Sequence, residues 1–278
     1  MFKKIAKISI IIIVVFCIII FGLITWKSNS IISQLANTRV EGNSELLQKY
    51  IDQLDRIETE TSDGLKVSAW RFKEKEPKGI VIVLHGMHGQ NASSLLDFGY
   101  FFKEANYETF CLDMRAHGYS EGKRIGFGYT EVKDVNALLN WIKEKPNYKD
   151  KKIILYGISM GGATAINTAA EREDANMVIS VSAHGSFEST FLDYMRKENI
   201  PELIINMFKP SIRLVLLGKY RVNPVSNSPI KKIIKIKNTP VLLIHGDKDE
   251  QVLVHQAYNL KQASGENTKL QVHPARYI

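Results

Sequence analysis

Residues 151–165 read Lys-Lys-Ile-Ile-Leu-Tyr-Gly-Ile-Ser-Met-Gly-Gly-Ala-Thr-Ala. A short apolar run, read as a buried strand, meets Gly157-Ile158-Ser159-Met160-Gly161 and passes into small residues that read as a helix start. That context gives a G-x-S-x-G match physical content, because a sharp strand-to-helix turn leaves a serine hydroxyl exposed at the carboxyl edge of a sheet. Gly157 and Gly161 leave room where such a turn crowds neighbouring backbone, and Gly162 and Ala163 allow close helix packing. Ser159 then stands at a helix amino terminus, whose free N–H groups favour developing negative charge. It is the candidate nucleophile.

The rest of the chain supplies a sheet for that turn. From Ile57 apolar and polar residues alternate, Ser62-Asp63-Gly64 is a turn signal, and alternation resumes over 65–72, which together predict an antiparallel hairpin. Residues 79–84, Gly-Ile-Val-Ile-Val-Leu, form a β-branched run suited to a strand covered on both faces. Further strands are expected at 109–113, 152–156, 177–181, 240–244 and 269–272, and helices at 92–105, 131–145, 160–172 and 254–263. Such alternation predicts an α/β fold: a mostly parallel central sheet with an opening antiparallel hairpin and helices on both faces. Residues 186–238 are too long for a simple crossover. Helix-like spacing at 187–197 and 200–217, broken into short pieces by Pro201, Pro210, Pro224 and Pro229, predicts a helical cap insertion over the carboxyl edge. Its basic residues, Lys209, Arg213, Lys219, Arg221, Lys231, Lys232, Lys235 and Lys237, suit either a solvated face or contact with lipid headgroups.

The amino terminus carries a separate signal. Residues 8–26 are almost unbroken apolar and follow Lys3, Lys4 and Lys7; at about 1.5 Å per residue they just cross a hydrocarbon layer of about 30 Å. Trp26 suits the interface, and the lysines favour a cytoplasmic amino terminus. The expectation is a single-pass anchor in the cell membrane, with the remaining chain extracytoplasmic. The alternative is a cleaved signal peptide, for which Ser28-Asn29-Ser30 is a small-x-small triplet. The expected organisation is an anchor over 1–28, a helical stalk over 29–55 and one domain over 56–278. The net charge of +8 comes with no dense basic stripe interleaved with aromatics, which argues against nucleic acid and for a bilayer neighbour. Cys17 and Cys111, in a span and a strand, form no disulfide framework.

In open parallel sheets reacting groups gather at the carboxyl ends of strands. The first such end is His85-Gly86-Met87-His88-Gly89, whose loop turns N–H groups toward an oxyanion; the N–H of Met87 and that of Met160 are the expected pair. His85 and His88 are read as holding this loop. Asp113, Arg115 and His117, with the Gly118-Tyr119-Ser120 turn, are read as a self-bonded brace, and His184 as structural. The loop His245-Gly246-Asp247-Lys248-Asp249 offers two carboxylates: Asp249 is expected to face Ser159 as the acid that steers a histidine, and Asp247 to cap the turn.

Jointly these segments resemble the α/β-hydrolases, in the branch of membrane-anchored serine hydrolases related to monoglyceride lipase and the serine aminopeptidase-like enzymes. The resemblance rests on residues 85–89, 113–120, 157–161 and 245–252, in family order and spacing, and covers Ile57 to the end. It implies an ester, thioester or amide hydrolase acting on a small-molecule ester or acyl substrate, with Ser159 as nucleophile, Asp249 as acid, and no metal or organic cofactor. The family base follows the last strand. With Pro274-Ala275 matched to the family's small pair, its place falls on Tyr277, four residues beyond His273. Two accounts follow: His273 serves as base from a rearranged loop, or the position is lost and the protein is a membrane-tethered hydrolase-like binding or scaffold protein. The family's closing helix is also absent after His273, so a truncated carboxyl end is a further expectation.

Overall fold

The computed structural model describes residues 2–37, 39–42, 45–87 and 89–275. His88 and Tyr277 lie outside the described residues. Eight strands form one sheet in the order β1-β2-β4-β3-β5-β6-β7-β8: β1 (Leu54–Glu60), β2 (Lys66–Phe72), β3 (Ile80–Leu84), β4 (Glu108–Leu112), β5 (Ile153–Ile158), β6 (Ala175–Val181), β7 (Val241–Gly246) and β8 (Thr268–His273). β2 pairs antiparallel with β1 and β4, and all other pairs are parallel. The hairpin turn closes through Thr61 N–H and Leu65 O (2.9 Å), with Gly64 at φ +81°, a region glycine enters without steric cost.

The pleat decides which side chain enters which core. Ile80, Ile82 and Leu84 of β3 join one apolar cluster with α4 (Val132–Lys143), α5 (Met160–Ala169) and α9 (His255–Ala263). Val81 and Val83 join another with α2 (Glu45–Tyr50) and α3 (Leu96–Glu104). All five β3 residues are buried, as a strand covered on both faces requires. α5 is buried all round, which its glycines and alanines permit.

Between β6 and β7 lies the cap: α6 (Phe187–Lys197), α7 (Glu202–Tyr220) and α8 (Pro229–Lys232). Pro210 was expected to interrupt this segment, yet α7 continues through it. A proline removes one backbone hydrogen bond, and the burial of Ile205, Ile212, Val215 and Leu216 along one face of α7 outweighs that local cost.

α1 spans Phe2–Ala36 without a break, and its stretch Lys3–Ala36 is long and apolar enough to cross a membrane. Described residues of the 29–55 segment pack on the body. Ile32 and Ala36 are buried in a third cluster with cap residues Phe187, Phe191, Ile212 and Leu216; Val40 bridges to His117; and Leu47 and Tyr50 of α2 pack with the α3 core. These apolar side chains gain more by packing on the body than a solvated helix would allow.

Candidate active site

Ser159 occupies the single residue between β5 and α5, at φ 53° and ψ −114°. Positive φ is strained for a residue with a Cβ and persists where surrounding structure over-determines it. Here Ser159 N–H donates to Val181 O (2.8 Å), and Ser159 O accepts from Ala163 N–H (3.1 Å). The neighbouring glycines are steric necessities. A Cβ on Gly157 would lie 2.2 Å from Gly161 O, and one on Gly161 would lie 2.2 Å from Leu84 O. The turn is thus clamped between β3 and β6.

The loop after β3 lies against this turn. A Cβ on Gly86 would come within 3.5 Å of Ser159 Cβ, and Gly86 N–H donates to Gln90 Oε1 (2.8 Å). Met87 follows Gly86, half-buried between the sheet core and the cap core. Met160 opens α5, so its N–H has no carbonyl four residues back within the helix. The two expected oxyanion donors therefore belong to segments that flank Ser159 on either side.

His85 holds the loop. Its Nε2 accepts from Met114 N–H (3.1 Å), which leaves the proton on Nδ1 to donate to Gly86 O (2.7 Å). Complete burial, reinforced by the neighbouring His117 ring, keeps His85 well below the ordinary imidazole range and therefore neutral. The brace after β4 is self-bonded as expected: Asp113 accepts from Ala92 N–H (2.8 Å) and Tyr119 N–H (3.1 Å). Burial pushes its carboxyl up to about 6 despite those two donors. Arg115 donates to Asp134 (2.7 Å) and Asp63 (2.9 Å), tying β4 to α4 and to the hairpin turn. His184 is buried after β6, and burial lowers it to about 4.

Asp249 is buried at the expected loop. Its Oδ1 accepts from Gln251 N–H and Val252 N–H (both 2.9 Å), so Asp249 itself caps the turn assigned to Asp247. Asp247 is exposed, and its N–H donates to His273 O (2.9 Å). The reason is geometric: the turn folds back on Val252, and only the carboxylate two residues before Gln251 reaches both N–H groups. Asp249 Oδ2 lies 3.7 Å from His245 Nε2, beyond hydrogen-bond range; that ring donates instead to Val252 O (2.7 Å).

His273 ends β8 opposite Gly246, and Lys248 N–H donates to Ala275 O (3.1 Å). The 273–275 segment therefore runs alongside the loop that carries Asp249. The His273 side chain is exposed. Among the described residues no imidazole is hydrogen-bonded to Ser159 Oγ; Met87 and Met160 lie on the segments that adjoin Ser159, and His273 stands exposed at the end of β8.

Two supports escaped sequence reasoning. Glu131 is fully buried and accepts from Gly126 N–H and Gly128 N–H, while Asn167 of α5 donates to Gly128 O (2.9 Å). This fixes the 126–128 loop against α5, and its sequence signal is a Gly-x-Gly followed three residues later by an acid. Asp193 of α6 accepts from His255 (2.7 Å) and Gln256 (2.6 Å) of α9, fastening the cap to the body. Nothing in spacing alone links residues so far apart.

A strained serine on a strand-to-helix turn, in an eight-stranded mostly parallel sheet with a helical cap over its carboxyl edge, defines an α/β-hydrolase. The family model described as serine aminopeptidase, S33, matches residues 75–229. That is more than half of the chain, and the chain belongs to this family. Among curated relatives, the uncharacterized protein YqkD of Bacillus subtilis is 28% identical over 203 residues, which cover 71% of this chain and 64% of that protein. The uncharacterized membrane protein YNL320W of Saccharomyces cerevisiae is 27% identical over 193 residues, covering 69% of this chain and 61% of that one. The chain thus spans somewhat less than two thirds of the length of these relatives. Among solved structures, the esterase Pf2001 of Pyrococcus furiosus superposes with a TM-score of 0.68 at 25% identity, covering 87% of this chain and 90% of that chain.

Proposed function

We propose that this chain is a membrane-anchored serine hydrolase of carboxylic esters, acyl lipids among them, working through an acyl-enzyme on Ser159. Ser159 Oγ attacks the ester carbonyl carbon while His273 takes its proton and passes it to the departing alcohol. Water then attacks the acyl carbon by the same route in reverse, releasing the acid and restoring Ser159. Met87 and Met160 N–H groups stabilise the oxyanion, and Asp249 steers His273. The observation that carries the reading is the backbone of Ser159, held at positive φ between two strands. The likeness to an esterase supports the substrate class. His273 runs beside the Asp249 loop, and a turn of its exposed ring toward the carboxyl edge completes the set. α1 anchors the domain, with Lys3, Lys4 and Lys7 on the cytoplasmic side and the hydrolase domain outside the cytoplasm.

The second reading is a hydrolase-like binding or scaffold protein, favoured by the lack of an imidazole bonded to Ser159 Oγ among the described residues. A fluorophosphonate probe on the full chain separates the two. The enzyme reading expects labelling that disappears in Ser159→Ala and slows by about 100-fold or more in His273→Ala, the range of a lost general base. Folded wild-type protein that takes no label establishes the scaffold reading instead. Hydrolysis across acyl lengths tests the lipid class; preference for very short polar esters removes it.

A further inference from the structure

α1 and α7 form a depth ruler. Along α1 a covered row, Ile20, Ile24, Ser28, Ile32 and Ala36, recurs every four positions, and the helix packed against α1 is α7. Ser28 Oγ meets Ser211 Oγ at 2.7 Å in a buried contact. Lys219 Nζ reaches Asn29 Oδ1 (3.2 Å) and Ser33 Oγ. Later residues of one helix thus meet later residues of the other, and the two run in the same direction. Leu203 precedes Ser211 by the same eight residues that separate Ile20 from Ser28, about 12 Å along either axis. The first turn of α7 therefore stands level with Ile20, inside the apolar stretch and below Trp26.

At that level α7 presents apolar side chains outward. Leu203 is 77% exposed and Ile204 42% exposed, although the opposite face of the helix is packed. Leu203, Met207 and Leu214 fall on one side at helical spacing. The acid of this first turn, Glu202, is paired with Arg196 (2.6 Å), which lowers the cost of entering an interface. Lys27 and Lys209 stand near the level of Trp26, where cationic heads meet phosphates while their stems stay in apolar surroundings.

We propose that the α6–α7 corner and the first half of α7 are seated in the leaflet that α1 crosses, with bilayer lipid covering Leu203, Ile204 and Met207. The proposal rests on the reading of α1 as a membrane span. Such a seat is that of an interfacial helix, whose apolar face enters about 5–10 Å past the headgroups. Lys197 at the end of α6 pairs with Glu250 (3.3 Å) beside Asp249, so the embedded corner adjoins the carboxyl edge of the sheet. Acyl esters already dissolved in the leaflet are the substrate class this geometry admits.

The test is nitroxide labelling of the full chain in phosphatidylcholine–phosphatidylglycerol vesicles, in a Cys17→Ser background where the remaining Cys111 is buried. Labels are placed by Val14→Cys on α1, Leu203→Cys on α7 and Tyr258→Cys on the exposed side of α9. Collision rates with oxygen and with a water-soluble nickel chelate are then compared. The expected result is an oxygen-to-nickel ratio at Leu203 several-fold above that at Tyr258 and approaching that at Val14. A ratio at Leu203 equal to Tyr258, with Val14 in the acyl layer, overturns the seat and leaves the anchor. Aqueous values at Val14 as well overturn both. Short label-to-label distances between Leu203 sites would show that a second copy covers this face, and would also overturn the proposal.

Discussion

Gly161 has no space for a methyl group: its Cβ would fall 2.2 Å from Leu84 O and 2.6 Å from His85 O, both backbone atoms at the end of a buried strand. Gly161→Ala is expected to lower stability by about 3 kcal/mol or more, since neither partner can yield without displacing β3; urea unfolding of the purified chain in detergent measures it. The position was readable from the motif, because a strand, two glycines and a small-residue helix start admit few geometries. The division of labour between Asp247 and Asp249 was not. Two acids in one loop differ only in which reaches the N–H groups of Gln251 and Val252, a matter of turn path rather than residue type. His273 is a similar case: its distance from the last strand was visible, but the direction of its ring depends on the backbone that follows.

Among elements, the pairing of α1 with α7 carries the most consequence. Ser28 and Ser211 share a buried hydrogen bond, and Ser211 Oγ in turn donates to Phe208 O. Removing one hydroxyl leaves the other under-satisfied, whereas removing both takes away the demand along with the supply. Ser28→Ala and Ser211→Ala are each expected to cost about 1 kcal/mol, and the double variant less than the sum by a similar amount. Chemical unfolding in detergent, run as a double-mutant cycle, checks this. Periodicity in the sequence marked an apolar face on each helix, but it names no partner, and residues 183 positions apart give no local sign of contact. The same limit explains Pro210: the proline was visible, and the packing that carries α7 through it was not.

Across the whole molecule the strand and helix alternation was readable, because β-branched runs such as 80–84 suit only a strand buried on both faces. Beyond the β2–β4 ladder, ion pairs fasten the hairpin turn to the body: Arg115 bridges Asp63 and Asp134, and Lys133 adds to Asp63 (3.0 Å). Hydrogen bonds from Arg115 hold the Asp63 carboxyl well below the usual carboxylate range. A depressed folded value contributes stability above the unfolded value near 4, lost as pH falls below it. Asp113 acts in the opposite sense, since a folded value raised to about 6 makes stability rise as pH drops from about 6 toward 4. Asp63→Asn is expected to cost about 1 kcal/mol at pH 7, after allowance for its partial exposure, and progressively less as pH falls from about 4 through the depressed folded value; stability measured against pH for variant and parent reads the difference. Finally, α1 runs unbroken from its apolar stretch into its dock on the cap. With α1 as the membrane span proposed above, the height of the serine over a bilayer is a built-in dimension, not the average of a swinging tether, and a thinner membrane would tilt rod and lid as one body.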